Sequence, residues 1–430
     1  MANAAGLTAP TPRPAARTAL ASLRHRDFRL LLGGQLVSSA GDQMQSIGLA
    51  WHVYVLTNSP LQLGLLGLFR AVPFMLFSLL GGALADSVDR KRLLILTQSS
   101  QMLLTSGLVA ATATGHVTVW LLYLVTFLGG AASAFDSPAR QAIIPNLVPR
   151  EELAGATTLL TLLRRTAMIV GPGIGGLVIG RFGLSWNYFG NALSFLAVVA
   201  AVLVLGPVPQ MAATSGRNWE RLTAGLHFAR KEPLVIVPML MDFLTRSCGS
   251  TNTLLPIFAR NVFFVGAEGL GVLSASMSAG ALAAGLVLGS VRQVKHPLVL
   301  MIVAYAAEGV FFAALGFSRG FALALAALFL KGVANIIGEV LRLTVMQLKT
   351  PDEVRGRVTA LSGIFDVGGP QIGGLESGVV ADFIGPVAAA ITGGLASATL
   401  AIAFGFTPGL RERLLETSDK LTQGPPALVS

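Results

Sequence analysis

Charge and cysteine are what this sequence has least of. Of its 430 residues only 12% are charged, about half the roughly 25% usual in soluble domains. That supply cannot cover the two or three soluble domains that a chain of this length would otherwise form. A single cysteine, Cys248, excludes an intramolecular disulfide and a cysteine-based metal site. The five histidines are scattered: His25, His116, His227 and His296 fall in tails or loops, and His52 lies near the outer end of the first apolar run, an interfacial position. There is no phosphate-binding glycine loop, no zinc-type His/Cys cluster and no Gly-x-Ser-x-Gly elbow. ATP drive, a resident metal, a cofactor and enzymatic chemistry are therefore not expected. What is abundant is apolar: 53% of the chain, with a mean hydropathy of +0.69.

Crossing about 30 Å of hydrocarbon takes about 20 apolar residues. Such runs occur at 28–57, 61–85, 93–114, 117–137, 152–180 and 184–206, then at 234–260, 268–291, 298–317, 320–347, 354–384 and 386–408. Twelve spans are expected. Residues 1–27, rich in Pro, Ala and Arg, read as a disordered tail and not as a cleaved signal. Residues 409–430 form a second tail. Residues 207–233 form a polar linker whose "NWERLTAGLHFARKEP" has the pattern of a helix lying on a membrane surface.

The net charge of +10 raises the question of nucleic acid, but the basic residues sit between apolar runs and not on one dense face. They act as topology signals. Lys and Arg crowd the N-terminal tail, the even-numbered loops, the linker and the C-terminal tail, whereas the odd-numbered loops offer Arg181, Arg260 and Arg319. By the positive-inside rule both termini and the linker are cytoplasmic.

The two halves repeat. "FLGGAASAFDSPARQAIIPNLVPREELAG" from Phe127 aligns with "FLKGVANIIGEVLRLTVMQLKTPDEVRG" from Phe329. "GPGIGG" at 171–176 is matched by "GPQIGG" at 369–374, and "GALADSVDRKR" from Gly82 by "GLVLGSVRQVK" from Gly285. Three matches in one order point to two six-helix halves, with a substrate site at their interface.

These stretches resemble the major facilitator superfamily over nearly the whole chain. Gly82, Leu84, Ala85, Asp86, Arg90, Lys91 and Arg92 resemble its loop signature between spans 2 and 3, departing at Ser87 and Asp89. "GDQMQSIGLAWHVYVLTNSPLQLGLLG", "FDSPARQAIIPNLVPREELAGA" and "GPGIGG" resemble the branch that holds the enterobactin exporter and macrolide efflux proteins. "GPGIGG" also matches the core of a span-5 motif of drug/proton antiporters. The upstream glycines of that motif are replaced by Thr158 and Ala167, and the span-4 arginine of many drug antiporters is absent from "LVTFLGGAASAF". The resemblance implies an all-α membrane protein of twelve transmembrane helices in two pseudo-symmetric six-helix bundles. It also implies export of a small amphiphilic molecule, a siderophore or a drug, in exchange for protons across a bacterial inner membrane, by a monomer.

Charge at bilayer depth costs at least about 2.5–3.5 kcal/mol, so each charged group there needs a partner or a wet cavity. In span 1, Gln35, Ser39 and Asp42 recur at helical spacing as one polar stripe. Span 10 carries Lys331, Asn335, Glu339 and Arg342, the last two spaced to pair within the helix. Span 7 places Asp242 and Arg246 four apart, and span 11 aligns Ser362, Asp366 and Glu376. Arg70 in span 2 and Glu308 in span 9 stand more alone, and Arg164 and Arg165 in span 5 have stems long enough to snorkel. Each pattern is open to a cavity reading and to a helix–helix reading. Proton coupling would need a carboxylate that gains and loses its proton as water enters and leaves; Asp42, Glu339 and Asp366 qualify, Asp42 first. At the loop signature, Asp86 is placed to pair with Arg90 as a cytoplasmic gate, or the loop serves topology alone. Gly171, Pro172, Gly175 and Gly176, with Gly369, Pro370, Gly373 and Gly374, allow kinked, close-packed helices, as hinges or as packing. An uptake symporter and a non-transporting receptor or scaffold remain the alternatives.

Overall fold

The computed structural model describes residues 21–206, 226–290, 294 and 296–406, and every regular element among them is helical. The expected tails up to residue 20 and from 407, and most of the linker, lie outside the described residues. The N-terminal half contains α1 (Arg26–Thr57), α2 (Pro60–Ser87), α3 (Arg90–Ala113), α4 (Val119–Ile143), α5 (Leu153–Phe182) and α6 (Leu184–Val204). The C-terminal half contains α7 (Pro233–Ser247), α8 (Thr251–Ile257), α9 (Gly266–Ser290), α10 (Pro297–Phe317), α11 (Phe321–Lys349), α12 (Asp352–Ile384) and α13 (Pro386–Gly405).

Local chemistry sets the ends. Ser59 caps α2, its hydroxyl accepting from the Gln62 N–H, with Pro60 in the first turn. Thr118 caps α4 in the same way, and the Asp89 carboxylate caps α3 by accepting from the Lys91 and Arg92 N–H groups. The α5–α6 and α12–α13 corners turn on Gly183 (φ 89°) and Gly385 (φ 87°), conformations in which a Cβ would clash with the backbone. These two glycines occupy equivalent places in the two halves.

The seventh span is where the continuous helix expected over 234–260 fails. α7 stops at Cys248, the chain turns through Gly249 (φ 150°), and α8 restarts after Ser250. Of the linker, 226–231 is helical, and Leu226, Phe228 and Ala229 pack against Val235, Met239, Met346 and Leu361.

Packing repeats in the two halves. α2 packs on α4, α3 on α6 and α1 on α5; correspondingly α9 packs on α11, α10 on α13 and α7 on α12. The halves meet along α5–α9 and α2–α12, which are each other's counterparts. One apolar core, including Val53, Tyr54, Leu122 and Ile179 from the first half and Leu254, Phe258, Leu273 and Leu328 from the second, joins both halves at one end of the molecule. At the opposite end, where α6 runs toward the linker, the cores are separate. Phe28, Leu94, Ile143 and Val202 belong to the first half alone, and Tyr305, Leu341 and Ala401 to the second. Among the described residues, then, one apolar core joins the halves at the far face and separate ones serve each half at the linker face.

Among the described residues nine helices are long and apolar enough to cross a membrane: α2 to α6, α9 to α11 and α13. Nine of the twelve spans expected from the sequence meet that measure. α1, the broken α7–α8 pair and α12 fall short, and they carry the stripes Gln35/Ser39/Asp42, Asp242/Arg246 and Asp366/Glu376. The polar groups that make these helices interesting also dilute their hydropathy. Large apolar side chains such as Leu76, Leu96, Leu103 and Leu286 are exposed on the outer surface, as lipid-facing residues are.

Candidate functional site

Three cavities lie at and beside the interface of the halves. In the first half, α1, α2, α4 and α5 enclose 260 Å³ around Asp42, Gln35, Ser39, Arg70, Phe74 and Arg164. The sequence reading missed Asp136 and Arg140, which line the same chamber from α4. Arg140 donates to Asp136 Oδ2 through Nε at 2.9 Å and through Nη2 at 2.6 Å, while Thr97 and Gln98 of α3 donate to Oδ1 at 3.0 and 2.7 Å. Asp136 and Arg140 are four residues apart, a visible spacing, but they occupy what reads as the end of a span and the start of a loop. Asp42 has no hydrogen-bond or ion-pair partner among the described residues. Arg70 stands less alone than expected, reaching Ser46 Oγ at 3.4 Å.

In the second half a 180 Å³ cavity is lined by Arg246, Glu308, Lys331, Asn335, Asn252 and Pro370, among others. Glu308 is not isolated, as the sequence suggested: Lys331 Nζ lies 2.8 Å from its Oε1 and Asn335 donates to the same oxygen at 3.2 Å. Helical periodicity cannot reveal this, because the partners sit on α11 and the carboxylate on α10. Asp242 is fully buried; its Oδ1 accepts from Arg246 Nε at 2.8 Å and from the Tyr305 hydroxyl at 2.7 Å. Arg342, 1% exposed, donates to Asp366 at 2.7 Å and to Ser362 at 2.8 Å.

The expected Glu339–Arg342 pair within α11 is not formed. Arg342 points to α7 and α12, whereas Glu339 faces across the interface, 3.1 Å from Arg165 of α5 and 3.9 Å from Arg246. The buried Asp242 of α7 and the carboxylate of Asp366 on α12 offer Arg342 a better-paired site than the helix surface. Arg165 accordingly does not snorkel. Glu376 bonds its neighbour Ser377 at 3.4 Å and lines neither charged chamber. His52, expected at the interface with lipid headgroups, is buried and bonded to the Tyr188 hydroxyl at 3.1 Å, an α1–α6 contact that the linear sequence conceals.

A third cavity of 160 Å³ lies between the first two. It shares Gln43 and Met168 with the first and Asn252 and Met277 with the second, and adds Ile47, Leu255 and Leu270. The three form one passage, charged at both ends and mainly apolar in the middle.

The glycine-proline motifs lie against this passage. A Cβ on Gly176 would come within 2.5 Å of the Ala267 carbonyl and 2.7 Å of Gly271 on α9, across the interface. Gly171 and Gly175 similarly admit α1 at Ala40 and Met44, and the Pro172 carbonyl faces Gly271. On α12, Gly369 abuts Phe243, Gly373 abuts Arg246, and Gly374 lies next to Thr253 and to Gly64 of α2, while Pro370 lines the second chamber. Of the loop signature, Gly82 lies in α2, and the side chain of Asp86 lies outside the described residues. Arg90 donates to the Ala142 carbonyl at the end of α4 at 2.9 Å. Lys91 donates to Leu203 and Leu205 at the end of α6, at 3.2 and 2.6 Å. Arg92 is exposed, 3.8 Å from Asp89. Cations thus satisfy free carbonyls at two helix C-termini, where the helix dipole also favours them.

Apolar helices in two repeated halves, parted at one face around a charged passage, define a membrane transporter of the major facilitator superfamily. The chain belongs to the transmembrane secretion effector family, whose model matches residues 17–426. It is 26% identical over 372 residues to the enterobactin exporter EntS of Shigella boydii serotype 18, covering 86% of this chain and 89% of the relative. It is 27% identical over 376 residues to EntS of Escherichia coli O127:H6, with the same coverage. In fold it is similar to a mutant of the nucleoside transporter NupG (TM-score 0.71, 16% identity, 88% of this chain and 99% of that one). A peptide-bound POT family transporter gives a TM-score of 0.72 at 10% identity, covering 90% of this chain and 96% of that one.

Proposed function

We propose that this protein exports a small amphiphilic organic molecule, a siderophore or a drug, out of a bacterial cell in exchange for protons. Twelve spans in two six-helix bundles, 28–206 and 234–408, rock about the passage and expose it to each side in turn. The membrane is the bacterial inner membrane, both termini and the linker are cytoplasmic, the working unit is a monomer, and no cofactor is needed. The observation that supports this reading best is the asymmetric packing at the interface: one shared core at the far face, separate cores at the linker face, and cavities that adjoin from one half to the other. Export is supported by the likeness to proteins named enterobactin exporters. The apolar middle of the passage suits an amphiphile.

Coupling is assigned to Asp42 first, with Glu339 and Asp366 as further carboxylates on the passage or beside it. Proton entry releases about 2.3 kcal/mol per 100 mV, enough for a gradient of roughly tens-fold per proton. Inside-out membrane vesicles with an acid-loaded lumen test this directly. A transported compound should alkalinise the lumen as it enters, and Asp42→Asn should abolish that response while leaving the protein in the membrane. Uphill export by Asp42→Asn at the normal rate, or no response to any of a broad compound panel, overturns the reading.

A further inference from the structure

We propose that the first chamber is an anion site and that the transported molecule carries a negative charge seated between Arg70 and Arg164. This deepens the transport reading and rests on it.

Charge is balanced differently on the two sides of the passage. In the second half the ionised side chains that line the chamber all have opposites, Arg246 with Asp242 and Lys331 with Glu308, and beside them Arg342 pairs with Asp366 and Arg165 from the first half with Glu339. Four cations meet four carboxylates, so that end of the passage is already neutral. The first chamber differs. Its Asp136 is consumed by Arg140, Thr97 and Gln98, which leave neither carboxylate oxygen without a partner. There remain two guanidinium groups, Arg70 and Arg164, and one carboxylate, Asp42. Arg164 forms no ion pair among the described residues, and the contact of Arg70 is a long bond to a neutral serine. One positive charge is left over.

Water screens that charge while the passage is open. It cannot do so in the occluded state between the two open ones, where an uncompensated charge is costly. A monoanion brings the sum of Arg70, Arg164, Asp42 and ligand to zero. A cationic molecule takes it to plus two, further from neutrality. Planar guanidinium groups are also the side chains that bind carboxylate-like oxygens in paired fashion. The ligand's apolar body then lies toward Met168, Ile47 and Leu270 in the middle cavity. The molecule is an amphiphilic organic anion.

The test reads the charge preference of the chamber without knowing the natural substrate. In a Cys248→Ser background, Ser39→Cys places one thiol in the chamber wall. It is reacted with two methanethiosulfonates of similar size, one sulfonatoethyl and one trimethylammonioethyl, and the rate ratio is normalised to that of a free thiol. The ratio should favour the anionic reagent by roughly tenfold, and Arg70→Gln and Arg164→Gln should each remove most of that preference. 1-Naphthoate should protect the thiol and 1-naphthylmethylammonium should not. Labelling by both reagents with no anionic preference, preference unaffected by either arginine change, or protection by the cation or by neither compound overturns the anion site and leaves transport standing. A thiol that neither reagent reaches means a chamber closed to water, and overturns the transport reading as well.

Discussion

Arg342 illustrates what a single side chain contributes when it is dry. It is 1% exposed, holds Asp366 and Ser362, and lies 4.0 Å from the buried Asp242. Removing it leaves Asp366 without its cation and Asp242 with Arg246 alone, and breaking a buried pair from one side costs about 3–5 kcal/mol. Arg342→Met is therefore expected to lower the unfolding midpoint in detergent far more than Asp366→Asn, whose carboxylate is partly exposed. Equal effects would mean that Arg342 is not the keystone of that network. The exposed Asp89–Arg92 pair gives the contrast. Its rupture by Arg92→Gln should cost less than about 1 kcal/mol, whereas Asp89→Ala also uncaps α3 and should cost about 1 kcal/mol more.

The long helices that cross at the interface come closest where their side chains are small. α5 approaches α9 at Gly176 and Gly271, and α2 approaches α12 at Gly64, Gly374 and Gly378. A side chain at Gly176 would strike backbone, which cannot rotate away, so Gly176→Leu must push α9 outward. We expect normal membrane insertion with transport lost. Accessibility of Ser274→Cys in the middle cavity to a thiol reagent should rise, because the far-face closure is spoiled. Unchanged transport and accessibility would make this crossing incidental. Gly175 and Gly176 are one residue apart, yet one faces α1 within the half and the other faces α9 across it. The motif "GPGIGG" was legible as a place of close approach, but not which helix would approach.

At the scale of the whole molecule, the far face holds the halves together. Ser59 Oγ of α2's cap lies 3.5 Å from Asp382 of α12, and Arg260 and Asn261 reach Tyr54 at the end of α1. If alternation opens this face, replacing Ser59 and Asp382 by cysteines in a Cys248→Ser background and oxidising them should stop transport, and a reductant should restore it. Continued transport with the crosslink in place would mean that the far face does not open. The ion pair Arg165–Glu339 spans the halves deeper in, beside the passage.

Sequence alone determined the quantities that depend on composition and period. These are the apolar runs, the repeated halves, the Gly-Pro motifs, and the residues that carry charge at bilayer depth. Each rests on neighbours along the chain, and a helix expresses such relations within one or two turns. Tertiary structure decided which charges meet. Glu308 found Lys331, Asp136 joined the chamber of Asp42, Arg342 chose Asp366 over Glu339, and His52 turned inward to Tyr188. It also decided that the seventh span breaks at Gly249 and that one apolar core joins the halves at the far face. Coulombic and hydrogen-bond partners are selected by proximity in three dimensions and by the cost of burying what is left unpaired. Chain spacing carries no information about that selection once the partners stand on different helices.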